Sequence, residues 1–146
     1  GTYNARPSVS TISNAMDIGD PSNFVRILEL HGGNWEKVKE SMVGYSFDDE
    51  QTKEGMKDVI SRTSYLMEPH GVIGYMAVKE YQKNHDVQGI VLETAHPAKF
   101  GEVVEPVIGQ KIEIPERLQE YMRREKVATL IKPEFKELKE FLLSRV

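Results

Sequence analysis

Thr94 is the residue best placed for chemistry in this chain. It directly follows Gln88–Glu93 (QGIVLE), a stretch with a continuous apolar centre that reads as a buried strand. In open α/β sheets, ligands bind outside the carboxyl ends of the strands. A hydroxyl at that point can hold a ligand's ring nitrogen or phosphate, or simply cap the next turn. His96, before Pro97, has the chemistry of a base or a ligand, and Lys99 that of an anion-binding cation in the first turn of a helix. A structural histidine and a solvated lysine are the commoner outcomes. Ser13, Asn14 and Asp17 form a small polar group around Ala15 and Met16, in a segment without helical periodicity. Such groups line sites or cap turns. His70 and His85 match no standard metal spacing. No GxSxG, HExxH or DxDxDG pattern occurs, and Gly32-Gly33 follows a helix rather than a strand, so it is a C-cap and not a phosphate loop. From these residues alone, no complete catalytic set is present.

The elements that must position these residues read as mostly helical. Asp20-Pro21 starts a helix whose face is Phe24, Ile27 and Leu28, ended by Gly32-Gly33. A short helix follows over 35–43. Asp48, with Gln51 three residues on, has the form of a capping box and opens the clearest helix, with Met56, Val59, Ile60, Thr63, Leu66 and Met67 at helical spacing. Glu68-Pro69-His70-Gly71 reads as a sharp corner, and 71–84 as a helix apolar on nearly every side, hence buried. After the strand comes a turn and a short helix from Pro97. Two helices follow in the tail, over 115–124 and 133–145, each with Pro at its start. Residues 8–12 suit a second, short extended stretch. The mixed charges of 36–40, 48–58 and 134–140 are solvated helix faces.

One buried strand cannot make a sheet, because its backbone groups need neighbours on both edges. The expectation is an α/β fold present only in part. Residues 1–146 form a single partial domain, with 110–146 as a helical tail. The chain has 146 residues, with 19 Lys plus Arg against 23 Asp plus Glu and a net charge of −4. That balance argues against a dedicated nucleic-acid binder. Without cysteine, there is no disulfide framework and no Cys metal site. No apolar run approaches the roughly 20 residues of a membrane span, and no signal peptide is recognisable. A soluble, cytoplasmic chain is expected.

Two stretches go beyond generic chemistry. Ser10–Phe24 reads STISNAMDIGDPSNF and Glu93–Phe100 reads ETAHPAKF, with EPHGVIGY at Glu68–Tyr75 between them. With the lead-in Tyr3…Arg6-Pro7-Ser8-Val9, these resemble the C-terminal part of the threonine synthase family over about residues 3–105. The resemblance implies a fold type II pyridoxal-phosphate enzyme, the tryptophan-synthase-like fold. Its implied reaction converts O-phospho-L-homoserine and water to L-threonine and phosphate. It also implies that the Thr94 hydroxyl meets the cofactor's pyridine nitrogen. Ser13, Asn14, Asp17, His96 and Lys99 are then candidate cleft-lining residues. No catalytic residue is expected in this chain, because the family's Schiff-base lysine and Gly-rich phosphate loop lie upstream. A C-terminal fragment is therefore expected, inactive alone and tending to self-associate, whose partner is the missing N-terminal part. The other readings are a dehydratase of the same fold and a non-enzymatic helical interaction module.

Overall fold

The computed structural model describes residues 2–14 and 16–145. Ala15, at the centre of the SNAMD stretch, lies outside the described residues. The chain divides into two compact units, one up to Glu113 and one from Ile114 on. No strand is present among the described residues, so the expected strands at 8–12 and 88–93 are not found. No helix among the described residues is long and apolar enough to cross a membrane.

The first unit begins with a loop closed on itself. Arg6 N–H donates to the Gly19 carbonyl at 3.3 Å, and Gly19 N–H donates to Ser8 Oγ at 3.2 Å. A Cβ at Gly19 would run into the Arg6 carbonyl, so only glycine permits this approach. That bond lies outside 8–12, and among the described residues no backbone ladder pairs 8–12 with a neighbour, so the segment does not become a strand. Tyr3 stacks on Phe24 and donates to Asp20. Asp20 thus ties down the N-terminal loop instead of capping a helix. Helix α1 spans Phe24–Leu30, starting later than Pro21, and ends at two glycines with positive φ. Helix α2 spans Trp35–Ser41, capped by the Asn34 side chain.

Helix α3 (Asp49–Thr63) has the expected capping box. Asp48 accepts from Gln51 N–H at 2.8 Å, and Gln51 accepts from Asp48 N–H at 2.9 Å. It stops at Ser64, which is left-handed at φ 58°, so Leu66 and Met67 fall beyond the helix. Helix α4 (Pro69–Gln82) starts earlier than expected, because Glu68 caps it and Pro69 takes the first turn. Only Pro69, Gly71 and Val72 of α4 are buried. The broad apolar face over Ile73–Val78 is half-buried in this chain. A 3-10 turn at Pro97–Phe100 runs straight into helix α5 (Gly101–Ile108).

Helix α3 packs on α4 and α5. The core is Met56, Val72, Phe100 and Val104, one residue from each of α3, α4, the 3-10 turn and α5. Gly55 lets the helices approach: a Cβ there would sit 2.5 Å from Met76 Sδ and 2.7 Å from Val72 Cγ1. Asp58 of α3 bonds Arg62 and reaches Lys79 of α4 at 3.4 Å.

Residues 88–93 are extended but unladdered. Gly89 lies against Val78, Val91 against Gly74 and Glu93 against Gly71. Rising numbers on the segment meet falling numbers on α4, so the two run antiparallel. The alternation is that of a strand, in which residues two apart share a face. The opposite face leaves Ile90 82% and Leu92 79% exposed. A strand requires a second strand to bond, and among the described residues there is none.

In the second unit, α6 spans Glu116–Met122 and α7 spans Phe135–Leu143. Both are shorter than the 115–124 and 133–145 expected. Neither Pro115 nor Glu134, at their starts, makes a side-chain cap. Phe135, Leu138 and Leu142 recur at helical spacing along α7.

Candidate functional site

Thr94 stands at the end of the extended segment, where the chain leaves α4 and enters the 3-10 turn. It is exposed, and no hydrogen bond among the described residues occupies its hydroxyl. The residues on either side are held. Ala95 packs against the core cluster. His96 caps the turn, its Nδ1 accepting from Ala98 N–H at 3.1 Å. A ring nitrogen that accepts a backbone proton this way is fixed in its tautomer, which makes His96 a structural anchor for the loop. Lys99 is exposed, with its Nζ 5.6 Å from the centre of the Phe100 ring.

On the other side, Glu93 enters a group of polar residues that spacing does not reveal. Glu68, 0% exposed, accepts from Gly71 N–H and His70 N–H at 3.0 Å each and bonds His70 Nδ1 at 2.6 Å. It thereby satisfies the free donors of the α4 N-terminus, where the helix dipole also favours a carboxylate. Glu68 N–H in turn donates to Glu93 Oε1 at 3.1 Å. Glu93 Oε2 is buried without a hydrogen-bond partner, over Gly71, where any Cβ would collide with it. Burial pushes the Glu93 carboxyl up, and the nearby Glu68 charge adds to this; the Glu68 N–H bond and His70 oppose it. His70 also leans on Phe100, ring centres 5.2 Å apart. The side chain of Glu93 is therefore locked between α4 and the core, one residue before Thr94.

Of the N-terminal candidates, Ser13 is half-buried and Asn14 exposed. Asp17 accepts from Thr11 Oγ1 at 3.3 Å. Ile12, next to Ser13, packs on the same core cluster as Ala95, and its N–H donates to Asp49 Oδ1 at 3.1 Å. The two candidate segments thus flank one cluster, and among the described residues no hydrogen bond joins them. Glu68, His70 and Glu93 are the additions that the structure makes. Glu68 before a proline that opens a helix is the one local signal that pointed there, since it is the N-cap position. Among the described residues, no group of acidic and histidine side chains could hold a metal ion.

Residues 72–142 match the family described as "Threonine synthase, C-terminal". The curated threonine synthase of Buchnera aphidicola (from Acyrthosiphon pisum) is 40% identical over 146 residues, covering 99% of this chain and 33% of the relative. That of Escherichia coli is 37% identical over 121 residues, covering 82% of this chain and 27% of the relative. The crystal structure of threonine synthase from Escherichia coli superposes with a TM-score of 0.79 at 30% identity, covering 99% of this chain and 33% of that one. A structure described as pyridoxal-phosphate-bound threonine synthase from Brucella melitensis gives 0.65 at 27% identity, over 96% of this chain and 35% of that one. The backbone thus follows one portion of a larger synthase fold, and the chain spans about a third of the length of the curated relatives it matches. It belongs to the threonine synthase family, and it corresponds to the C-terminal part of those enzymes.

Proposed function

We propose that this chain carries the cofactor-ring end of a pyridoxal-phosphate site, in an enzyme that converts O-phospho-L-homoserine and water to L-threonine and phosphate. The observation that carries the reading is Thr94, within ETAHPAKF. Its hydroxyl is exposed, without a partner among the described residues, between Glu93, which is hydrogen-bonded to Glu68, and Ala95, which packs on the core cluster. A lone hydroxyl of this kind suits an aromatic ring nitrogen. The rest of a cofactor site is not assigned to these residues: the Schiff-base lysine and the phosphate loop belong to the remaining part of the chain.

When bound, pyridoxal phosphate supplies an electron sink for carbanions formed on an amino-acid substrate. Thr94 sets how strongly that sink acts. A hydroxyl, unlike a carboxylate, does not hold a ring nitrogen protonated, so the ring draws electrons moderately. Ala95 in the core and His96 at its cap keep the Thr94 backbone from turning. Ser13, Asn14 and Asp17 line the substrate side of the cleft in this reading, with His96 and Lys99 at its rim. The reading places the reaction in the cytoplasm. The remaining N-terminal part of the polypeptide is the essential partner of this chain.

The test is product analysis on a full-length protein carrying this segment. Release of inorganic phosphate with threonine from O-phosphohomoserine is the expected result. Formation of a 2-oxo acid from threonine or serine instead would make the enzyme a dehydratase of the same fold. Thr94→Val should lower kcat without abolishing the fold. An unchanged kcat and cofactor affinity in that variant would overturn the role of Thr94. A non-enzymatic helical module is not favoured, because it leaves the match along the whole chain without a cause.

A further inference from the structure

The donors at the start of α4 are spent on Glu68. His70 N–H, Gly71 N–H and His70 Nδ1 all engage its carboxylate. Among the described residues, Glu93 receives one bond, from Glu68 N–H to Oε1. Its second oxygen has no partner and no accessible surface, and Gly71 closes the space over it. Among the described residues, that oxygen is left without surface through which a neutralising partner would approach it. The titratable groups facing Glu93 are Glu68, the N-cap of α4, and His70 in its first turn. A bare carboxylate oxygen sealed in this way, beside a second carboxylate, is far costlier than a neutral acid.

We propose that Glu93 is a positioning residue for Thr94 and works as a neutral carboxylic acid. It clamps the end of the extended segment onto the first turn of α4 and so fixes the direction of the Thr94 hydroxyl. The carbonyl oxygen of the acid accepts the Glu68 N–H, and the proton sits on the sealed oxygen above Gly71. The chain geometry makes the clamp stiff. Glu93 and Thr94 are consecutive in an extended backbone, so one side chain points into α4 and the next points away from it. Any slack at Glu93 becomes a displacement of Thr94. The raised proton affinity that burial produces at Glu93 agrees with this geometry. The proposal rests on the reading of Thr94 as the cofactor-facing residue.

The experiment measures pyridoxal phosphate binding to the full-length apoprotein, as a dissociation constant against pH, for the parent, Thr94→Val, Glu93→Ala and Glu93→Gln. An amide reproduces the neutral acid: its oxygen takes the Glu68 N–H and its nitrogen replaces the hydroxyl. Glu93→Ala is expected to weaken binding about tenfold, at the low end of what loss of a supporting residue costs a bound group, and Glu93→Gln to stay within about twofold of the parent. The parent should lose affinity as pH rises through the deprotonation of Glu93, and Glu93→Gln should not. If Glu93→Ala fails to fold, Glu93→Gln and its pH profile decide alone. Glu93→Gln as weak as Glu93→Ala, or with the parent's alkaline loss retained, overturns the neutral acid. Normal binding by Glu93→Ala beside weak binding by Thr94→Val overturns the clamp but leaves the reading of Thr94 standing. Parent-like binding together with an unchanged kcat in Thr94→Val overturns that reading, and the clamp with it.

Discussion

Glu68 is the residue on which the site's geometry turns. It caps α4, orients His70 and offers its own N–H to Glu93. Glu68→Ala leaves buried donors unpaired and is expected to destabilise the chain by about 1–3 kcal/mol in urea unfolding. Titration should expose two opposite trends. The folded-state pKa of Glu93 is raised, mainly by burial. Its protonated form therefore stabilises the fold at acid pH, and that part is lost as pH rises from the ordinary carboxylate range through the raised value. Asp58 and Glu105 are lowered, chiefly by hydrogen bonds from Arg62 and Lys111. Their contribution is present above the ordinary carboxylate range and fades as pH falls through their lowered values. Urea midpoints against pH should rise from strong acid, and Glu93→Gln should remove part of the decline on the alkaline side. An identical alkaline decline in Glu93→Gln would mean that another group is responsible.

At the scale of elements, the close contact of α3 and α4 is set by a glycine. Alanine normally gains about 1 kcal/mol over glycine inside a helix. Gly55→Ala should instead destabilise the chain by about 1–3 kcal/mol, because its methyl meets Val72, a stiff buried side chain, as well as the more adaptable Met76. A rise in the unfolding midpoint would show that the helices can part without loss. The Asp48–Gln51 box is separable from this packing, since its bonds are local. Asp48→Ala should cost about 1 kcal/mol and leave the α3–α4 contact intact. Gly71 and Gly74 serve a different neighbour. They open the α4 surface on which the extended segment lies, bringing Glu93 to the helix N-terminus and leaving Thr94 free.

For the molecule as a whole, the extended segment is half of an unfinished arrangement. Its inner face is packed on α4, while Ile90 and Leu92 stand in solvent. Apolar surface of this kind seeks cover. Self-association of the isolated chain is expected at rising concentration, and sedimentation should show Ile90→Lys with Leu92→Lys reducing it. A monomer at every concentration would refute the expectation. The isolated chain should also release no phosphate from O-phosphohomoserine, because only about a third of the relatives' length is present.

Local chemistry made much of this readable in advance. Capping residues, helical periodicity and glycine stops placed α1 to α4 within a few residues, because those signals act over one or two turns. ETAHPAKF and STISNAMDIGDPSNF marked the family and singled out Thr94, since long motifs carry more than composition does. The state of 88–93 was not readable. Its apolar run states that it is to be buried on two sides, but hydrogen bonding to a neighbour strand is a property of two segments, and one segment alone cannot declare it. The Glu68–His70–Glu93 group was hidden for the same reason. Glu93 lies 25 residues from Glu68, and only the return of the extended segment along α4 brings them together. The residues were chosen by the chain's local chemistry; the burial that raises the proton affinity of Glu93 was decided by tertiary packing, because desolvation exists only once the segments meet.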